Sequence, residues 1–68
     1  GEWVPGRWWR VTYSDGRRYT DGPNAGELQV WCETSDEAEA LDALASCPGG
    51  GSLMRQYERR EVTWQAVG

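Results

Sequence analysis

Chemistry at neutral pH needs groups that take up a proton, attack a bond or bind a metal, and this chain is short of them. It has no histidine. Ser-His and Cys-His nucleophiles and His-ligated metal centres are therefore excluded. Its two cysteines, Cys32 and Cys47, lack the C-x-x-C spacing of a structural zinc or redox site. Asp15 and Asp21 flank turns, but no calcium-loop pattern surrounds them. The run Gly49-Gly50-Gly51-Ser52 follows a helical segment instead of opening one, and it contains no lysine. It reads as a connector and not as a phosphate cradle. Glu37, Glu39 and Asp42 could do acid–base work only in a concave pocket. On a helix they read as a solvated face, with the first acids favoured by the dipole. The sequence predicts a non-enzyme with no catalytic residue, no metal and no cofactor.

What remains is aromatic and guanidinium chemistry. The chain has five Trp, three Tyr and seven basic residues, every one of them Arg. Trp, Tyr and Arg are the types enriched at the centres of protein interfaces. Their use depends on the elements that hold them.

A chain of 68 residues forms one domain. Residues 1–6 read as a flexible N-terminal arm, with Pro5 and Gly6 ahead of the first strand. Residues 7–67 read as a single α+β domain. Residues 7–14 alternate, with Trp9, Val11 and Tyr13 on one face and Trp8, Arg10 and Thr12 on the other. Asp15-Gly16 is a tight-turn signal, and residues 17–20 could form a short returning strand. Residues 21–26 are a loop. Residues 27–33 form the second strand, with Leu28, Val30 and Cys32 on one face and Gln29, Trp31 and Glu33 on the other. A helix follows. Thr34 is the expected N-cap in a capping-box spacing with Glu37, and Ser35 competes for that place. Its expected buried stripe is Ala38, Leu41, Leu44 and Ala45. Residues 53–67 are extended, but their parity slips between Tyr57 and Val62. With no Gly, Asn or Pro there, one long strand with a bulge near residues 58–61 is expected in preference to a hairpin.

The predicted fold class is α+β. It is a three-stranded, mainly antiparallel sheet with one helix on one face, in the order β-β-α-β. A fourth strand is added if residues 17–20 pair. The first strand lies at the centre. Trp9, Val11, Tyr13, Leu28, Val30, Val62 and Trp64 are expected to meet Leu41 and Leu44 in the core. A helix of about 12 residues is roughly 18 Å long, and a disulfide needs Cα atoms within about 7 Å. Cys32 and Cys47, at its two ends, are thus expected to form no disulfide. Two free thiols fit a reducing compartment, so the expected location is cytoplasmic.

One helix covers one face of such a sheet. On the other face the parity places Trp8, Arg10, Gln29 and Trp31, joined by Arg55, Tyr57 and Arg59 from the last strand. This is the candidate partner-binding surface: Trp8, Arg10, Gln29, Trp31, Arg55 and Tyr57. Two readings stand side by side. Cross-strand aromatic pairs stabilise a solvated face by themselves, at roughly 0.2–1 kcal/mol each. The same residues would also anchor a protein partner. Trp3, from the arm, could fold over them. The pairs Arg17-Arg18 and Arg59-Arg60 have acidic neighbours and read as surface balance. A formal net charge of −4 argues against nucleic-acid binding. No apolar run is long enough to cross a membrane. A homodimer through the last strand is a further option.

The stretch Trp9-Arg10-Val11-Thr12-Tyr13-Ser14-Asp15-Gly16, an Ala-rich acidic helix, and Tyr57-Glu58-Arg59-Arg60-Glu61-Val62-Thr63-Trp64 together cover most of residues 8–65. In this the chain resembles short uncharacterised reading frames of actinobacteria and their phages. The resemblance is one of fold and implies no site residues. It implies a small accessory protein, in a phage setting one that modulates a host protein. The alternatives are a single-stranded nucleic-acid-binding module and a self-associating virion subunit.

Overall fold

Strand β1 (Val4–Tyr13) is where the alternation is strongest, and it becomes the centre of the sheet. The computed structural model describes residues 2–58 and 62–68. It contains β2 (Val30–Thr34), helix α1 (Glu37–Ser46), β3 (Gly51–Glu58) and β4 (Val62–Ala66). The fold is α+β, an antiparallel four-stranded sheet in the order β2-β1-β3-β4 with one helix. β2 and β3 both run antiparallel to β1 and flank it. The chain must therefore cross β1 to pass from β2 to β3, and α1 makes that crossing. This is why Val11, on the helix-covered side of β1, is fully buried.

The helix side of the sheet holds the core: Trp9, Val11 and Leu53 with Ala40 and Cys47. Tyr13, Cys32, Ala43 and Leu44 pack around them. Ala40, Ala43, Leu44 and Cys47 follow the i, i+3, i+4, i+7 spacing of one helical face. The expected stripe of Ala38, Leu41, Leu44 and Ala45 is rotated from this one, and Leu41 is exposed. Small alanines on the inner face leave room for the Trp9 indole. The cap also moves. Asp36 is the N-cap, its Oδ1 accepting from the Ala38 N–H at 3.0 Å. Thr34, expected as the cap, instead ends β2 and accepts from the Asp36 N–H at 3.1 Å. Both cysteines lie on the helix side of the sheet and both thiols are free.

Three further expectations give way. The last segment is a hairpin and not one bent strand. β3 and β4 pair in unbroken register from Met54↔Ala66 to Glu58↔Val62. The parity slip between Tyr57 and Val62 is a reversal of the chain. The connecting residues 59–61, which include the Arg59-Arg60 pair and the expected bulge, lie outside the described residues. Second, β1 begins at Val4, which pairs with Glu58 as Pro5 pairs with Tyr57. Residues 4–6, expected in the arm, thus belong to the sheet. Third, residues 27–29, expected in the second strand, do not extend β2, and residues 17–20, left open as a short strand, form none. They meet each other through one isolated bridge, Arg18↔Leu28. Tyr19 N–H to Glu27 O (2.9 Å) and Gln29 N–H to Arg17 O (3.0 Å) flank it.

Two local insertions set the faces of everything else. The register of β1 with β2 passes from Val11↔Cys32 to Thr12↔Val30, leaving Trp31 as the extra residue of a β-bulge. The register of β1 with β3 passes from Pro5↔Tyr57 to Trp9↔Arg55, so Gly6, Arg7 and Trp8 together face Gln56. A Cβ at Gly6 would lie 2.6 Å from Gln56 Oε1, so a larger residue there needs the end of the Gln56 side chain to shift.

Candidate recognition face

The pairing ladders assign the helix-free face residue by residue. Val11, Leu53 and Trp9 face the helix, so their neighbours Arg10, Thr12, Met54 and Gln56 face away from it. Glu33 pairs with Arg10, Val30 with Thr12, Ala66 with Met54 and Trp64 with Gln56. Val4, Glu58 and Val62 form the last row at the far end. Trp64 and Val30 were expected in the core with the helix. They lie on this opposite face, because the hairpin and the bulge reverse their parity. Val62 and Leu28 also leave the core, Val62 being exposed and Leu28 half-buried.

The connection between β1 and β2 folds against one end of this face. Between them lies a cleft of about 490 Å³. Met54, Trp64 and Val30 line its sheet side, and Tyr19, Leu28 and Asn24 line the side of the connection. The Tyr19 hydroxyl accepts from the Val30 N–H at 3.3 Å and ties the connection to β2. Arg10 lies at the boundary. Its Nη2 is 2.6 Å and its Nε 3.0 Å from Glu33 Oε1. Its guanidinium carbon is 3.9 Å from the centroid of the Trp64 ring. An arginine stacked on indole and bonded to a carboxylate is held in one conformation by two kinds of attraction. Arg18, also on the cleft, donates to the Gly26 carbonyl at 2.8 Å.

Beyond Arg10 the face is open. Val4 and Val62 are each 54% exposed and Trp8 is 38% exposed. Trp8 lines a shallow depression with Pro5, Gly6, Gln56 and Glu58. Gln56 Oε1 is buried beside it with no hydrogen-bond partner, as is Arg55 Nε on the other side of the sheet.

The six residues expected to form one surface are thereby divided. Arg10 lies on the helix-free face, and Trp8 lines the depression at its far end. Gln29 is in the connection, its Nε2 donating to the Arg18 carbonyl at 3.3 Å. Trp31, pushed out by its bulge, meets the edge of Tyr13 at a centroid distance of 6.0 Å. Tyr13 packs on the core, so Trp31 stands on the helix side. Arg55 stacks over Trp9 at 4.6 Å, also on the helix side. Tyr57 shares the parity of Arg55 and pairs with Thr63. Trp31, Arg55 and Tyr57 are thus corrected to the opposite face from Arg10. Sequence reasoning missed Val4, Tyr19, Met54, Val62 and Trp64 as members of the recognition face. For Val62 and Trp64 the signal was the parity slip after Tyr57, which marks a hairpin once it is read as a reversal; Val4, Tyr19 and Met54 carried no such signal.

Among the described residues no three Cys, Asp or Glu side chains come together as metal ligands. The shifted ionisations are those of Asp15 and Arg17, a solvent-exposed pair. The Arg17 side chain donates to Asp15 at 2.6–3.1 Å, lowering the carboxyl pKa and raising that of the guanidinium. No described helix is long and apolar enough to cross a membrane. Comparison with protein-family models, curated proteins and solved structures yields no match to this chain.

Proposed function

We propose that this chain is a small non-enzymatic binding protein that recognises another protein through the helix-free face of its sheet. The observation that carries the reading is the chemistry of that face. An open apolar row of Val4 and Val62, with Trp8 beside it, adjoins a cleft lined by Met54, Trp64, Tyr19 and Leu28. Its most central charge, Arg10, is neutralised within the face by Glu33. A protein partner suits apolar contacts ringed by paired charges. A polyanion suits free cations. Four of the five described arginines, Arg10, Arg17, Arg18 and Arg55, are each engaged with a carboxylate, a carbonyl or a ring. The fifth, Arg7, is exposed on the depression beside Trp8, and a single such cation supports the protein reading over the nucleic-acid one. In the setting implied by the resemblance to actinobacterial and phage reading frames, such a protein acts in the cytoplasm by occupying a surface of a host protein.

The test is capture of partners from the source cells by three forms of the chain. The unaltered protein should retain a partner that a Val4→Glu/Trp8→Ala variant loses. Leu41→Glu, at an exposed helix position on the opposite side, should retain it. Loss with Leu41→Glu alone, with the face variant still binding, would move the interface to the helix and refute the reading.

A further inference from the structure

We propose that the open edge of β4 pairs with β4 of a second copy, antiparallel and centred on Trp64, joining two sheets into one. This goes beyond the recognition face, which it leaves uncovered. β4 is the terminal strand of the sheet, with no strand beside it among the described residues. Proteins blunt such edges with charges, prolines, bulges or very short strands. The other edge strand, β2, carries Glu33 and the Trp31 bulge. β4 (Val-Thr-Trp-Gln-Ala) has an unbroken register and no proline. Among the four described strands only β4 has no charged side chain. For a chain of net charge −4, that is the strand along which two copies can approach without setting like charges together.

The backbone is oriented for it. The Val67 N–H donates to the Leu53 carbonyl at 2.9 Å, continuing the β3–β4 ladder. Backbone groups alternate between the two edges of an antiparallel strand. Thr63 and Gln65 therefore turn theirs toward β3, as Val67 does. Val62, Trp64 and Ala66 turn theirs to the open edge. A two-fold axis at Trp64 sets Trp64 against Trp64 of the second copy, and Val62 against its Ala66. Each of these residues then exchanges both backbone bonds across the seam. Side chains match as well, since apolar Val62 meets apolar Ala66 and polar Thr63 meets polar Gln65. The contact involves roughly five residues a side, against about 20–30 in a standard interface. The dimer is accordingly weak, forming in the high-micromolar to millimolar range.

Sedimentation of the full chain from micromolar to millimolar concentration reads this directly. The weight-average mass should rise toward the dimer and fall on dilution. Ala66→Pro removes an N–H that faces the open edge, a change that edge strands tolerate. It should hold the protein monomeric with its circular dichroism unchanged. Thr63→Lys/Gln65→Lys sets like charges opposite each other across the seam, and it too should be monomeric. It decides the matter if Ala66→Pro does not fold. An unaltered protein that stays monomeric at millimolar concentration overturns the proposal, as does association that persists in either folded variant.

Discussion

Replacing Gly51 with alanine probes how closely the end of the helix meets the central strand. A methyl at position 51 would lie 2.8 Å from Val11 Cγ1 and 3.0 Å from Cys47 Cβ. Neither neighbour can step aside. Val11 is fully buried, and a Cβ atom moves only with its backbone. Gly51 is not among the positive-φ glycines, so the substitution tests space and not backbone strain. Overpacking of this kind costs about 1–3 kcal/mol. The whole stability of a domain this size is roughly 3–10 kcal/mol. Each kcal/mol lost lowers Tm by about 4–8 °C. Val11→Ala, taken alone, removes two buried methyl groups at about 0.8 kcal/mol each and opens a cavity, for a loss of about 2 kcal/mol. In the double variant the new methyl enters the space that Val11 Cγ1 has left. The two costs should therefore not add, and the double variant should be about 1 kcal/mol more stable than their sum. Urea unfolding followed by tryptophan fluorescence measures all four corners of this cycle, because Trp9 belongs to the same cluster. Additivity to within about 0.5 kcal/mol, or a Gly51→Ala variant as stable as the parent, would refute the close packing argued for this junction.

Other outcomes follow from single contacts. Asp36→Ala should cost about 1 kcal/mol through loss of the helix cap, whereas Ser35→Ala should cost almost nothing. Equal losses would mean that the cap is wrongly assigned. Arg10→Gln breaks the exposed bond to Glu33 and uncovers Trp64, for about 1 kcal/mol in all. It should also make the tryptophan fluorescence more open to acrylamide quenching, and unchanged quenching would count against the stacked geometry. For Asp15, bonding to Arg17 depresses the folded-state pKa. The pair's contribution is thus present above the unfolded value, about 3.9, and is lost as pH falls through the folded value. Carboxyl NMR should find the Asp15 midpoint below the ordinary aspartate range, rising in Arg17→Gln. A midpoint indifferent to Arg17 would contradict the contact.

Much of the architecture was legible in the residues. The alternation of Trp9, Val11 and Tyr13 marked both the central strand and its buried face, because a half-covered strand leaves a strict period of two. The run after Thr34 up to Cys47 read as a helix, and the glycines after Pro48 as its end. The acids and alanines of that helix left its inner stripe ambiguous. Alanine is found on either face, so the alignment of Ala40, Ala43, Leu44 and Cys47 against the sheet had no clear hydrophobic signature. The candidate site was less legible. It was expected to gather Trp8, Arg10, Gln29, Trp31, Arg55 and Tyr57, and the structure scatters them.

By itself the sequence determined the α+β composition, the central strand, and the want of histidine chemistry. These depend on residue type and on patterns within one segment. Only the tertiary structure decided which tryptophans share a face. A residue's face is counted from the register with its neighbour, and one inserted residue reverses every later side chain. The Trp31 bulge carried Trp31 to the helix side, and the reversal after Glu58 carried Trp64 away from it. Arg10 therefore stacks on Trp64, from the far end of the chain, and the proposed recognition face is built around that pair.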